Sequence, residues 1–364
     1  MKSLYDGIFI FLKDYFANYL SYGLNYPFIK PWRINFDITH RCPLRCKTCN
    51  VWKKNPLIDR ELSLEELKKI ILKIKKWKMD HVSFAGGETL VRKDDLIELI
   101  KFASSMNMRT DLITNGYFLD KETCEKLLKA KVSKISLSLD GAKRETHDLI
   151  RGKGNYDKVI KAAKNLVKLK EKFKSNIELE FTTVVTRYSF RELVDIFNFM
   201  QNIGFDYINY QVITPDNTFT KGLEYYRDFY NSDFWINGND LNLLKKNAIK
   251  LVKLKKTGKI RNTRDYLLMM PKYFEEKEKF KTGKCIVGFS YLNIDPYGNI
   301  CVCGLGPNLS ANDENLNDLW NNWEYKKTRF KIKRCKRPCL MLCYEKLDFK
   351  TLFKAWLELR GWLN

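Results

Sequence analysis

Long apolar runs are missing from this chain. The longest near its start, Ile8 to Leu12, falls far short of the roughly 20 residues that a helix needs to cross a bilayer, so no transmembrane helix is expected. A leader of the secretory type, basic then apolar then small-residue, is missing too. That bears on the ten cysteines, which without export are not expected to form a disulfide framework. Their uneven spacing in a chain of 364 residues favours metal ligation in a reducing, cytoplasmic compartment. Low-complexity blocks and internal repeats are absent beyond a strand–helix rhythm. With 45% hydrophobic and 14% aromatic residues, the composition excludes a disordered chain and predicts a core of more than one domain.

Charge of one sign dominates: 66 basic residues against 43 acidic ones give a formal +23. Such an excess attracts phosphates, in nucleic acid or in anionic lipid headgroups. The plainer explanation is lysine scattered over solvated helix faces such as Leu67 to Lys78 and Lys161 to Lys174.

Period-two alternation marks a strand at Arg33 to Ile38, and Ser63-Leu-Glu-Glu66 is a capping box opening a helix to about Lys78. The unit repeats, with strands at about His81 to Phe84, Arg109 to Ile113, Lys134 to Leu139, Ile177 to Val185 and Tyr207 to Ile213, and a second capping box at Ser189 to Glu192. Six strands, each followed by helix-like sequence, predict an α/β fold with a parallel sheet, an open (β/α)6 partial barrel of TIM-like type. Sites in such barrels gather at the C-terminal strand ends. The expected organisation is an amphipathic helical segment over 1–31, the barrel over 32–238, a helical linker over 239–282, a cysteine-rich α+β unit over 283–346 and an amphipathic helix over 347–364.

Cys42, Cys46 and Cys49 form a C-x3-C-x2-C triplet in the loop after the first strand. Three thiolates hold an iron–sulfur cube at three irons and leave the fourth open to an exogenous ligand, whereas electron-transfer clusters are usually closed by four. The triplet resembles the radical S-adenosylmethionine (radical SAM) enzymes, and Phe84-Ala-Gly-Gly-Glu88 resembles that family's Gly-Gly-Glu signature. Ile113-Thr-Asn-Gly116, Ser136 to Gly141 and His147 to Gly152 are similar to later strand ends of the branch carrying a SPASM or twitch extension. The resemblance implies a SAM-binding [4Fe–4S] cluster on the triplet and a 5′-deoxyadenosyl radical that takes hydrogen from an unactivated C–H bond. It also implies an electron donor such as ferredoxin or flavodoxin. Gly86, Gly87 and Glu88 are expected at the methionine ammonium, with Asn115, Ser138, Asp140, Arg151 and Thr183 as candidate contacts to carboxylate or ribose. Thr48 stands where the family usually carries an aromatic residue near the adenine. His147 is read as structural and Cys124 as a buried small hydrophobe.

A second set comprises Cys285, Cys301, Cys303, Cys335, Cys339 and Cys343, with Ile294 to Cys301 predicted as a β-hairpin. The arrangement resembles a SPASM/twitch module, implying one auxiliary [4Fe–4S] cluster and leaving room for a second. Cys285, Cys301, Cys339 and Cys343 are its expected ligands, Cys335 competes for a late position, and Cys303 is set aside as supernumerary. Four of these thiolates could instead hold structural zinc.

Substrate is read from the chain's two ends. Leu4, Ile8, Phe11, Leu12, Tyr15 and Tyr19 share one helical face, followed by Tyr22, Tyr26, Phe28 and Trp32; Phe349, Leu352, Phe353, Trp356 and Leu363 lie opposite Lys350, Lys354 and Arg360. Aromatic amphipathic helices with basic flanks suit a membrane interface, and docking of both on the barrel is the alternative. The favoured expectation is therefore a peripheral enzyme acting on a membrane lipid chain by carbon–carbon bond formation or adenosyl addition. The alternatives are a peptide or protein maturase and an RNA-modifying enzyme using the basic stretch Lys326 to Arg337. A zinc or iron–sulfur protein that binds nucleic acid without catalysis is the non-enzymatic alternative.

Overall fold

The computed structural model describes residues 16–53, 56–214, 229–280, 284–303, 306–307, 309–312 and 315–341. The apolar positions Leu4 to Tyr15, Cys343 and the stretch 347–364 lie outside the described residues.

A single eight-stranded sheet organises the chain, in the order β6-β5-β4-β3-β2-β1-β7-β8. The strands β1 (Arg33–Thr39), β2 (His81–Gly86), β3 (Arg109–Thr114), β4 (Lys134–Ser138), β5 (Glu178–Val185) and β6 (Tyr207–Val212) run parallel. β1 and β6 alternate between a fully covered face and a more open one, whereas β2, β3 and β4 are buried on both faces at their centres. Ile34, Phe36 and Ile38 are covered on β1, for example, while Arg33, Asn35 and Asp37 face the inside. The covering helices are α2 (Leu64–Lys76), α3 (Lys93–Ser105), α4 (Lys121–Lys129), α5 (Arg144–Arg151), α6 (Asn155–Lys172) and α7 (Leu193–Ile203). Ahead of them lies α1, described over 16–24. The result is the expected open partial barrel.

The capping box opening α2 forms as expected, with Glu66 Oε2 accepting from Ser63 N at 2.8 Å. The second one, at Ser189, does not. Ser189 Oγ donates to Val184 O at 2.7 Å, while Glu192 accepts from Lys143 N at 3.0 Å and from Thr146 Oγ1. Glu192 thus ties down the loop after β4, and a short 3-10 turn precedes α7 in place of the cap.

Inside the barrel, the N-terminal strand ends are closed by buried charge. Asp111 meets His81 Nε2 and Lys134 Nζ, each at 3.1 Å, and Arg109 Nε at 3.2 Å. Lys134 also lies 3.7 Å from Glu180, and Arg109 and Arg261 both pair with Glu178. With this floor filled, the described residues leave the barrel open at the C-terminal strand ends.

Beyond β6, α8 (Asn239–Leu254) and α9 (Arg264–Glu276) pack against each other. The short helix α10 (Val287–Ser290) leads into β7 (Tyr291–Ile294) and β8 (Ile300–Cys301), the predicted hairpin. Asp295 caps its turn by accepting from Tyr297 N and Asn299 N at 2.9 and 2.8 Å. β7 pairs parallel with β1, so the cysteine-rich unit extends the barrel's own sheet. After α11 (Leu316–Asn321) and α12 (Trp323–Lys333) the chain returns to the opposite edge, where Leu340 O accepts from Gln211 Nε2 at 3.2 Å and Tyr266 Oη at 3.0 Å. Residues 335–340 therefore run along the open side of the barrel. No helix among the described residues is long and apolar enough to cross a membrane.

Candidate active site

The cysteine loop leaves β1 and is clamped by the end of β2. Gly87 N donates to Thr39 O at 2.7 Å and Glu88 N to Arg41 O at 2.8 Å. The approach is too close for a side chain, since a Cβ would stand 2.2 Å from Thr39 O at Gly86 and 2.3 Å from Arg41 O at Gly87. The glycine pair is thus what lets the second strand hold the loop that carries the thiols. Glu88, fully buried, completes the clamp: it accepts from Thr114 Oγ1 at 2.7 Å, Asn115 N at 2.7 Å and Leu90 N at 3.0 Å. A carboxylate has about four lone-pair sites, so capacity for one further donor remains. Burial raises the Glu88 pKa, and these hydrogen bonds and Arg151 act against the rise.

Around the triplet the structure assembles polar groups aimed at sulfur. Asn115 Nδ2 lies 3.6 Å from Cys42 Sγ, Val51 N donates to Cys49 Sγ at 3.4 Å, and Cys46 Sγ reaches Arg151 O at 3.7 Å. Burial raises the thiol pKa of Cys42 and pushes that of Cys46 up to about 11, with Arg151 opposing both. Cys49 adds to the rise at Cys42, and Cys49 and Cys42 add to it at Cys46, which places the three side chains near one another. No three metal-ligating side chains converge on a single point among the described residues. A cubane takes each thiolate on a different iron, so its ligands need not converge, and N–H donors to sulfur are among the groups that tune it. The triplet fits such a cluster. Thr48 brings no ring to this loop; the aromatic side chain beside it is Trp52, whose indole Nε1 donates to Cys46 O at 3.2 Å.

From β4 and α5 comes a buried ion pair. Asp140 is fully buried, accepting from Arg151 Nε at 2.6 Å and Val184 N at 2.8 Å. Burial disfavours the charge on Arg151, but Asp140 and the nearby thiols Cys46 and Cys49 outweigh it and raise its pKa. His147 is structural, as expected: Nδ1 accepts from Asp140 N at 3.2 Å, Nε2 meets Asn155 Oδ1 at 2.8 Å, and burial lowers its pKa. Thr183 spends its hydroxyl on Leu139 O at 2.6 Å. Gly86, Gly87, Glu88, Asn115, Asp140 and Arg151 are therefore gathered around the triplet. Asp140 and Thr183 keep their polar atoms inside the protein, and Ser138 is half-buried at the end of β4.

The profile of the radical SAM superfamily matches residues 36–200, from β1 through α7, and so spans every element of this site. Residues 36–200 form a radical SAM domain. As a radical SAM enzyme the protein uses a [4Fe–4S] cluster and S-adenosylmethionine. It is 26% identical over 343 residues to a PqqA peptide cyclase of Bradyrhizobium diazoefficiens, covering 88% of this chain and 80% of that one. It is 34% identical over 167 residues to an Fe-coproporphyrin III synthase of Methanosarcina barkeri, but that likeness covers only 46% of this chain and 40% of the relative. Among solved structures, Streptococcus suis SuiB bound to S-adenosylmethionine superposes with a TM-score of 0.63 at 18% identity, over 82% of this chain and 68% of SuiB, a likeness of fold.

In this radical SAM enzyme the second cysteine set gathers differently from its sequence order. Burial pushes the Cys303 thiol strongly up, and Cys285, Cys339 and Cys335 add to the rise. Cys339 is likewise raised to about 11 by burial, with Cys335 adding to it. Cys301 Sγ lies 3.9 Å from the hairpin's own Asp295 Oδ2. The backbone at Cys303 is left-handed, with φ of 50°.

Proposed function

We propose that the protein is a peptide-modifying radical SAM enzyme, a maturase that forms a bond within a polypeptide substrate. The observation that carries this reading is the extent of the likeness to the PqqA peptide cyclase, which spans 88% of the chain and so reaches well beyond the radical SAM domain. The likeness to the porphyrin-related relative stops at about half the chain. SuiB, which shares the fold, is also known bound to its precursor peptide SuiA. A lipid-chain substrate has no comparable support, since the amphipathic stretches that motivated it fall largely outside the described residues.

On this reading Cys42, Cys46 and Cys49 hold the SAM-binding cluster, and Cys285, Cys303, Cys335 and Cys339 are the leading set for an auxiliary one. When bound, cluster and S-adenosylmethionine supply a 5′-deoxyadenosyl radical that takes hydrogen from carbon. The chain's own part is positional. Gly86, Gly87 and Glu88 fix the cysteine loop, Asn115 caps the Cys42 sulfur, and Asp140 holds Arg151 beside the thiols. The charged floor seals the barrel from below, so a substrate approaches from the C-terminal strand ends.

The test is anaerobic reconstitution with reductant and a small peptide encoded beside this chain, read by mass spectrometry. A peptide that loses hydrogen on forming a new bond, with matching 5′-deoxyadenosine, supports the reading. Abundant 5′-deoxyadenosine with the peptide unchanged, alongside modification of a non-peptide extract, refutes the substrate class.

A further inference from the structure

Over its described residues, α1 turns much of its apolar surface outward. A surface helix ordinarily turns its apolar side to the core and its polar side to water. Here Asn18 and Ser21 are buried, at 1% and 0% exposure, while Phe16, Leu20 and Leu24 stand 58%, 49% and 64% exposed. Polar contacts hold the helix in this pose. Lys333 Nζ donates to Tyr22 O, Asn25 Nδ2 donates to Lys326 O at 3.1 Å, and Ser21 Oγ accepts from Phe28 N at 3.0 Å. The apolar display continues past the helix through Tyr26, Phe28 and Trp32, each more than 40% exposed. It also extends onto the neighbouring helix α12, where Trp323 and Phe330 are 61% and 45% exposed.

Basic groups surround it. Lys284 Nζ lies 5.4 Å from the Tyr19 ring, Lys326 Nζ 5.4 Å from that of Trp323, and the Arg334 guanidinium 4.0 Å from that of Phe330. Between Trp323 and Arg337 the chain carries one acidic residue, Glu324, against a series of lysines and arginines, and residues 16–32 carry no acid at all. Aromatic and aliphatic side chains on the outer side of a single helix, rimmed by cations, match the requirements of an interfacial segment. The display is a ridge, which a deformable lipid surface accommodates, whereas peptide recognition generally uses a groove or a sheet edge.

We propose that the outer face of α1, together with the Trp323–Phe330 stripe of α12, is a seat for an anionic lipid surface. The seat holds the enzyme peripherally at a membrane and is independent of the peptide reading: lipid here is the surface bound, with no part in the reaction.

Flotation of the full chain, reconstituted anaerobically, tests it. Vesicles of phosphatidylcholine with phosphatidylglycerol are compared with phosphatidylcholine alone. Co-flotation with the anionic vesicles is expected. It should fall about tenfold or more in the double variant Leu20→Glu, Leu24→Glu and in the charge-reversal variant Lys331→Glu, Arg334→Glu. Both variants should keep wild-type release of 5′-deoxyadenosine, showing that they fold. Failure of the wild type to float, or undiminished flotation of both variants, overturns the proposal. So does a concentration-dependent dimer that the leucine variant abolishes, or saturable binding of an acidic peptide without vesicle binding.

Discussion

Asp140 Oδ2 accepts from Arg151 Nε at 2.6 Å, and the carbonyl of the same Arg151 lies 3.7 Å from Cys46 Sγ. One ion pair thus couples the end of β4 to a thiol of the loop after β1. Both charges are buried, so neither tolerates loss of the other. Asp140→Ala is expected to cost about 3–5 kcal/mol, because it leaves a guanidinium without its carboxylate in a low-dielectric site. Urea denaturation measures the loss; a variant as stable as the wild type would show the pair to be unimportant for the fold.

Gly87→Ala adds a Cβ 2.3 Å from Arg41 O, where only backbone can yield. Overpacking of this kind costs about 1–3 kcal/mol, and relief has to come from the loop that carries Cys42. Expected is a folded protein, by circular dichroism, whose N-terminal cluster assembles poorly while auxiliary iron is retained. Full iron content in this variant would argue against the clamp.

Cys303→Ser and Cys301→Ser separate the two readings of the hairpin thiols. Loss of Cys303 should remove the auxiliary cluster and lower the iron content by roughly four atoms per chain. Loss of Cys301, whose sulfur faces Asp295, should leave it. Iron analysis and electron paramagnetic resonance distinguish them, and the reverse pattern would restore Cys301 as ligand.

At the barrel floor, burial raises the Asp111 pKa, but His81, Lys134 and Arg109 outweigh it and hold the carboxylate well below its usual range. A lowered folded-state value means that the ionised form stabilises the protein above the unfolded-state pKa. That contribution is lost as pH falls through the folded value. The stability advantage of the wild type over Asp111→Asn should therefore be steady at neutral pH and shrink as pH drops below about 4. Chemical denaturation across pH checks it, and a constant difference would contradict it.

Much of the barrel was legible because its signals are local. Period-two strands, the capping box at Ser63 and the Asp295 turn all state their conformation within a few residues. The cap at Ser189 failed for the same reason in reverse: Glu192 had a distant partner, Lys143, that no local pattern reveals.

By itself the sequence determined the parallel α/β rhythm and the three thiols with their open corner, since ligand type and spacing are properties of adjacent residues. Only the tertiary structure decided the rest. It brought Glu88 onto Asn115 and Arg151 beside the cysteines, set Cys303 on a left-handed turn near Cys285, Cys335 and Cys339, and turned Leu20 and Leu24 of α1 outward. Those outcomes depend on packing between segments far apart in the chain, where burial and partner choice override what neighbouring residues prefer.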